Sequence, residues 1–207
     1  MRRSPVHYCA MTADLFLALL GFAFATSVTP GPNNLMLMAS GANFGFRRTI
    51  PHMLGISVGF AVLALAAGLG LAGLLHAEPR AMLVLKVLAV GYMLWLASRI
   101  ARAGAPGQGR AAARPMGFLG AAAFQWVNPK AWAMAVGAVT VYAPGGSLSQ
   151  FALVAFVFSV VNLPTVSLWA WAGEALRQWL SAPRRLRIFN WTMAGLLIAS
   201  LWPVLKM

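Results

Sequence analysis

From residue 12 to residue 205 the chain is a succession of apolar runs separated by short, mostly basic connections. Crossing about 30 Å of hydrocarbon takes roughly 20 apolar residues in helical form. Runs over 12–44, 52–75, 82–101, 116–142, 149–172 and 188–205 meet that need, six in all. They show no alternation of period 2 and are too long for the strands of a membrane barrel. Only 9% of the residues are charged and 60% are hydrophobic. A soluble domain carries about 25% charged residues, so these charges are too few to cover a core in water. The expected fold is an all-α integral membrane protein with six transmembrane helices.

The charges that remain report topology. Sixteen Lys and Arg face three acids, Asp14, Glu78 and Glu174, for a net charge of +13. A nucleic-acid partner is the wrong reading of that excess. Membrane proteins hold Lys and Arg in cytoplasmic loops, and acids are expensive in lipid. Arg47 and Arg48 follow the first run, Arg99, Arg102, Arg110 and Arg114 surround the third connection, and Arg177, Arg184, Arg185 and Arg187 fill the fifth. Connections one, three and five are therefore expected in the cytoplasm and both termini outside. Residues 103–115 read as a flexible cytoplasmic linker. It divides the membrane domain, 11–207, into halves at 11–102 and 116–207.

Residues 1–10 are expected to be an upstream extension, with Met11 as the start. The stretch "AFA" at 23–25 resembles a signal-peptide cleavage site. Cleavage there would remove one span and invert the charge logic of the other five. Cys9 is the one cysteine, which rules out an internal disulfide, a CxxC redox pair and a thiolate metal cluster. His7, His52 and His76 have no metal-ligand spacing. No metal and no organic cofactor is expected.

One stretch breaks the pattern. "VTPGPNNLML", residues 28–37, places Pro30, Gly31, Pro32, Asn33 and Asn34 inside an apolar run, where each disfavours a helix. The second half echoes it: "GFAFATSVTP" at 21–30 and "GAAAFQWVNP" at 120–129 share four of ten residues at an offset of 99. Pro30 falls opposite Pro129. Both prolines interrupt the first run of a three-run half, and an odd number of spans gives the halves opposite orientation. The chain is thus expected to be two inverted three-helix repeats with broken first helices. Such a pattern points to the substrate site of a secondary transporter, because irregular backbone at membrane depth survives only where it is buried or lines a cavity. Two unrelated proline kinks are the bland alternative.

The breaks carry the candidate site residues. A helix restarting after Pro32 has Asn33 and Asn34 near its N-cap, with backbone N–H groups suited to a carboxylate. Asn128 and Lys130 sit at the second break, and a lysine within an apolar span is costly unless it pairs, snorkels or meets water. Each has a plain alternative: the asparagines cap helices, Lys130 snorkels to the rim, and Trp126 and Trp132 only pack. Asn162 and Pro164, in the fifth run, line the same cavity or form a packed kink. Gly41/Gly45 and Gly55/Gly59 have the spacing of close helix contacts, and such faces also permit a homodimer. For coupling, no carboxylate is central to any run. His52 and Glu174 are the groups left to carry a proton.

"TPGPNNLMLMASGANFGFRRT", "GISVGF" and "FQWVNPKAW" resemble the LysE/RhtB family of amino-acid exporters over the chain from Met11 onward. The resemblance implies efflux of an amino acid or derivative across the bacterial inner membrane, driven by the proton gradient. It assigns the motif to Pro30, Gly31, Pro32, Asn33, Asn34, Asn128, Pro129 and Lys130. The absence of mid-span acids favours a small neutral substrate, and the TPGPNN block followed by GFR looks most like the cysteine/O-acetylserine exporter branch. A membrane-embedded enzyme would need a nucleophile, a carboxylate pair or a metal cluster at membrane depth. A packing scaffold would need no paired helix breaks.

Overall fold

The computed structural model describes residues 12–103 and 114–202, so the expectations for 1–10 and for most of the linker lie outside the described residues. What is described is helical, without strands: α1 (Ala13–Val28), α2 (Pro32–Phe44), α3 (Phe46–Gly68), α4 (Leu71–Ala77), α5 (Pro79–Ala101), α6 (Phe118–Phe124), α7 (Pro129–Tyr142), α8 (Leu148–Ala175) and α9 (Pro183–Ala199). Short 3-10 turns at Gln125–Val127 and Trp179–Ser181 complete it.

Three of these helices, α3, α5 and α8, are each long and apolar enough to cross a membrane. The α1–α2 pair, bent by 55° at its break, is long and apolar enough for a fourth when taken as one span. The remaining two expected places hold shorter helices, α6 with α7 and the 17-residue α9. Large apolar side chains cover the outside, among them Leu17, Val62, Leu83, Val87, Phe156, Trp171 and Trp191. Exposed apolar surface on that scale needs a hydrocarbon solvent. The protein is a multi-pass membrane protein.

Helix boundaries differ from the hydropathy reading at two places. The second run was expected to begin at His52, but α3 begins at Phe46 and carries Pro51 in its second turn. Pro51 is the sixth residue of α3, so its missing N–H leaves the Arg47 carbonyl without its usual intrahelical donor, a cost confined to the start of the helix. The joint instead falls at Gly45, whose φ of +85° is open to glycine and strained for other residues. The last run was expected at 188–205, but α9 begins at Pro183 and takes Arg184, Arg185 and Arg187 into its first turns. The Arg185 guanidinium lies 5.2 Å from the centre of the Trp179 ring.

α8 is the spine, packed along α1, α2 and α3, while α5 leans mainly on α9 at the periphery. Close approach needs missing side chains. A Cβ on Gly41 would strike the Ala170 carbonyl and one on Gly173 the Met38 carbonyl, so α2 and α8 touch backbone to backbone. Gly55 meets the Phe118 carbonyl and Gly59 meets Ala122, which seats α6 on α3. Without a hydrophobic drive between helices in lipid, such dispersion contacts hold the bundle together. Buried amides pin it further: Asn43 and Asn190 exchange hydrogen bonds of 2.9 and 3.2 Å, and Asn190 also donates to the Ala103 carbonyl.

Candidate functional site

The first helix break leaves the last carbonyls of α1 without intrahelical donors, and three other segments answer them. Asn34, in the first turn of α2, donates its amide to the Ser27 carbonyl at 2.9 Å and to the Thr29 carbonyl at 2.8 Å. Trp169 of α8 donates its indole N–H to the Val28 carbonyl at 3.3 Å. Lys130 reaches across from α7, its Nζ 2.6 Å from the Thr29 carbonyl and 2.9 Å from Thr29 Oγ1. A cation at a helix C-terminus also meets the negative end of the helix dipole. The lysine stem lies over Gly31, where a Cβ would sit 2.6 Å from Lys130 Cδ. Gly31 is the N-cap of α2, in an extended conformation, and no side chain caps that end.

The second break is built locally. Asn128 is the N-cap of α7: its Oδ1 accepts from the Lys130 backbone N–H at 3.2 Å. Trp132 donates its indole N–H to the Trp126 carbonyl at 2.8 Å, folding the two rings edge to face across the turn. Gln125, fully buried, donates back to the Ala121 carbonyl. It also forms a two-way amide clasp with Asn33: Asn33 Nδ2 donates to Gln125 Oε1 at 2.9 Å, and Gln125 Nε2 to Asn33 Oδ1 at 3.1 Å. The two breaks, some hundred residues apart in the chain, are thus joined by the Asn33–Gln125 clasp and by Lys130 on Thr29.

Between them lies a cavity of about 20 Å³, bordered by Ser27, Asn34, Asn128, Lys130 and Asn162 on its polar side. Phe60, Met134 and Val166 border it on the apolar side. A space of that size holds about one water, so an amino acid requires the helices to part. Asn128 borders the cavity, and its Nδ2 makes no hydrogen bond to a described residue. Among the described residues, Lys130 is the cavity's one charged side chain, and no acid borders it.

Of the residues singled out from sequence, Gly31, Asn33, Asn34, Asn128 and Lys130 come together here, with Pro30, Pro32 and Pro129 forming the breaks. His52 and Glu174 do not border the cavity. His52 is buried in α3 with neither ring nitrogen hydrogen-bonded. Glu174 lies in the last turn of α8, near the Gly45 joint and Arg177. Sequence reasoning missed Gln125, Thr29, Ser27 and Trp169. Gln125 had a signal, being an amide inside an apolar run within the quoted "FQWVNP".

Fold and site together define a multi-pass helical membrane protein in which two interrupted helices close on a small polar cavity. The chain belongs to the LysE type translocator family, which it matches over residues 24–201. It is 32% identical over 195 residues to a cysteine/O-acetylserine efflux protein of Klebsiella pneumoniae, covering 91% of this chain and 95% of the relative. The protein of the same description in Escherichia coli K12 is 30% identical over 171 residues, 81% of this chain and 87% of its own length. A third such protein, from Salmonella choleraesuis, is 35% identical over 121 residues, 58% of this chain and 61% of the relative. No solved structure matches. These relatives are transporters, not enzymes.

Proposed function

We propose that the chain is an efflux permease of the bacterial inner membrane that exports a small neutral amino acid or a close derivative, coupled to protons, by alternating access. The observation that carries this reading is the meeting of the two helix breaks at a cavity that, among the described residues, has one cation and no acid. In it, Lys130, the open N-terminus of α2 at Gly31 to Asn34 and the free Asn128 amide hold the substrate carboxylate. Lys130 exchanges the Thr29 carbonyl for that carboxylate, so loading releases α1 from α7. Asn33 acts through its clasp on Gln125, positioning one break against the other. The efflux of cysteine and O-acetylserine by relatives supports a substrate of that size.

Six spans in two inverted three-helix halves, both termini outside, remain the topology of this reading; it is supported by the facing breaks and by the basic joints at Arg47–Arg48 and beyond Arg99. The coupling proton is assigned to His52 or Glu174. His52 suits the role because a buried ring without partners gains most from a second, hydrated conformation. The test is expression in a bacterial host lacking its own exporters, with external accumulation measured across a panel of amino acids and analogues. Export of at least one small neutral amino acid is expected, and its loss in Lys130→Met. Unchanged efflux over the whole panel, with the protein verified in the membrane, overturns the proposal.

A further inference from the structure

The cavity lining has two chemically different parts. In one, Lys130 and Asn128 present donors. The other, Ser27 and Asn162, belongs to a chain of neutral side chains that crosses three helices. Ser57 of α3 donates to Asn162 Oδ1 at 3.2 Å, and Asn162 Nδ2 donates to Ser27 Oγ of α1 at 3.1 Å. Ser159 reaches the Ser57 carbonyl at 3.4 Å. Ser27, Ser57 and Asn162 are 3%, 2% and 4% exposed, so this is a built polar strip inside the bundle and not a wet surface. Helix packing alone does not require it. The closest approaches of the neighbouring α2–α8 and α3–α6 pairs fall at Gly41, Gly173, Gly55 and Gly59.

The strip has acceptor capacity left over. An amide oxygen accepts two hydrogen bonds, and Asn162 Oδ1 receives one, from Ser57. Asn34, whose nitrogen is committed to the Ser27 and Thr29 carbonyls, has an oxygen that accepts from no described residue. Ser27, Asn34 and Asn162 all border the cavity. Ser27 lies two positions before Thr29, the residue Lys130 grips. The carboxylate and ammonium of an α-amino acid hang on one carbon, so a donor part and an acceptor part this close suit its two poles.

We infer that Asn162 and Ser27, with Ser57 positioning the Asn162 amide, read the α-ammonium of the substrate, and that the site therefore selects an intact zwitterion carrying no second positive charge. This rests on the exporter reading and adds a specificity residue to it. Neutral acceptors hydrogen-bond the ammonium, while the one carboxylate, held at Lys130, offsets one of the two positive charges and leaves the loaded site with a single net charge. A further cation on the substrate would sit beside Lys130 with no acid to meet it, and such a charge is costly away from water. Phe60, Met134 and Val166 leave a short, uncharged side chain as the fitting third substituent.

The experiment measures uptake of labelled cysteine into inside-out membrane vesicles carrying the full chain. Unlabelled cysteine, N-acetylcysteine and cysteine methyl ester serve as competitors. If the efflux panel names another amino acid, that amino acid and its N-acetyl and methyl-ester forms are used. In the wild type, the N-acetyl form, whose amine is blocked, is expected to compete at least tenfold more weakly than the parent. Asn162→Leu raises KM at least tenfold while Vmax falls less, and Ser57→Ala does so more mildly. Asn162→Asp supplies the missing negative charge and improves competition by the cationic methyl ester, a gain that misfolding cannot mimic. Equal competition by the N-acetyl form in the wild type overturns the inference. So does a wild-type KM in both Asn162→Leu and Ser57→Ala, or no gain for the ester in Asn162→Asp. Those results leave export itself standing; absence of wild-type uptake for every amino acid on the panel removes the exporter reading and this inference with it.

Discussion

The two helix breaks look alike in sequence and are held in opposite ways. The second is held largely by its own residues: Asn128 caps the helix it begins, Gln125 turns back to Ala121 as well as across to Asn33, and Trp132 closes on Trp126. The first depends on distant chain, since its open carbonyls are answered by Lys130 from α7 and Trp169 from α8 as well as by Asn34 nearby. One break is therefore held mainly by local bonds and the other mainly by bonds from neighbouring helices. That asymmetry suits a gate, in which one wall holds still while the other is released.

The comparison is broken most severely at Lys130. Lys130→Met removes the cross-break contact and the cavity's charge, and at least a hundredfold loss of export is expected. The protein should still insert, because Asn34 continues to cap Thr29; export assays with membrane quantification check both points.

The next largest effect is at the clasp. Asn33→Leu leaves Gln125, fully buried, with half its amide unanswered, a loss of about 1–3 kcal/mol. Replacing both partners removes that penalty, so Asn33→Leu with Gln125→Leu should be more stable than the sum of the single changes. Thermal unfolding of the purified singles and double in lipid nanodiscs measures the coupling. Strict additivity would show that the clasp does not join the breaks.

The smallest effect sharpens the contrast on the locally held side. Asn128→Ala loses a helix cap, about 1 kcal/mol, whereas Asn128→Ser keeps most of it. If the free Asn128 amide also meets substrate, Asn128→Ser will recover stability in thermal unfolding but not the wild-type KM for export.

Much of this was legible in the residues. The prolines and asparagines of 28–37 and 126–132 marked both breaks, since each disfavours a helix for a reason local to itself. Gly41 was legible by spacing. Its counterpart Gly173 was not, because it has no small partner four residues away and its need arises from the Met38 carbonyl opposite. The start of α3 was misjudged because hydropathy weighs Arg47 and Arg48 as loop, while helical backbone tolerates them at a membrane edge. Gln125 and Ser57 were passed over because an isolated polar residue in an apolar run says nothing of what it will face.

By itself, the sequence determined that the chain is helical, that it lives in a membrane, and where its helices break. Those outcomes follow from hydropathy, helix propensity and missing N–H groups, all properties of neighbouring residues. Only the tertiary structure decided that the breaks meet, that Lys130 lands on Thr29, and that Asn162 joins Ser27 to Ser57. A hydrogen bond between side chains a hundred residues apart depends on how helices pack, and packing is settled by the whole bundle at once.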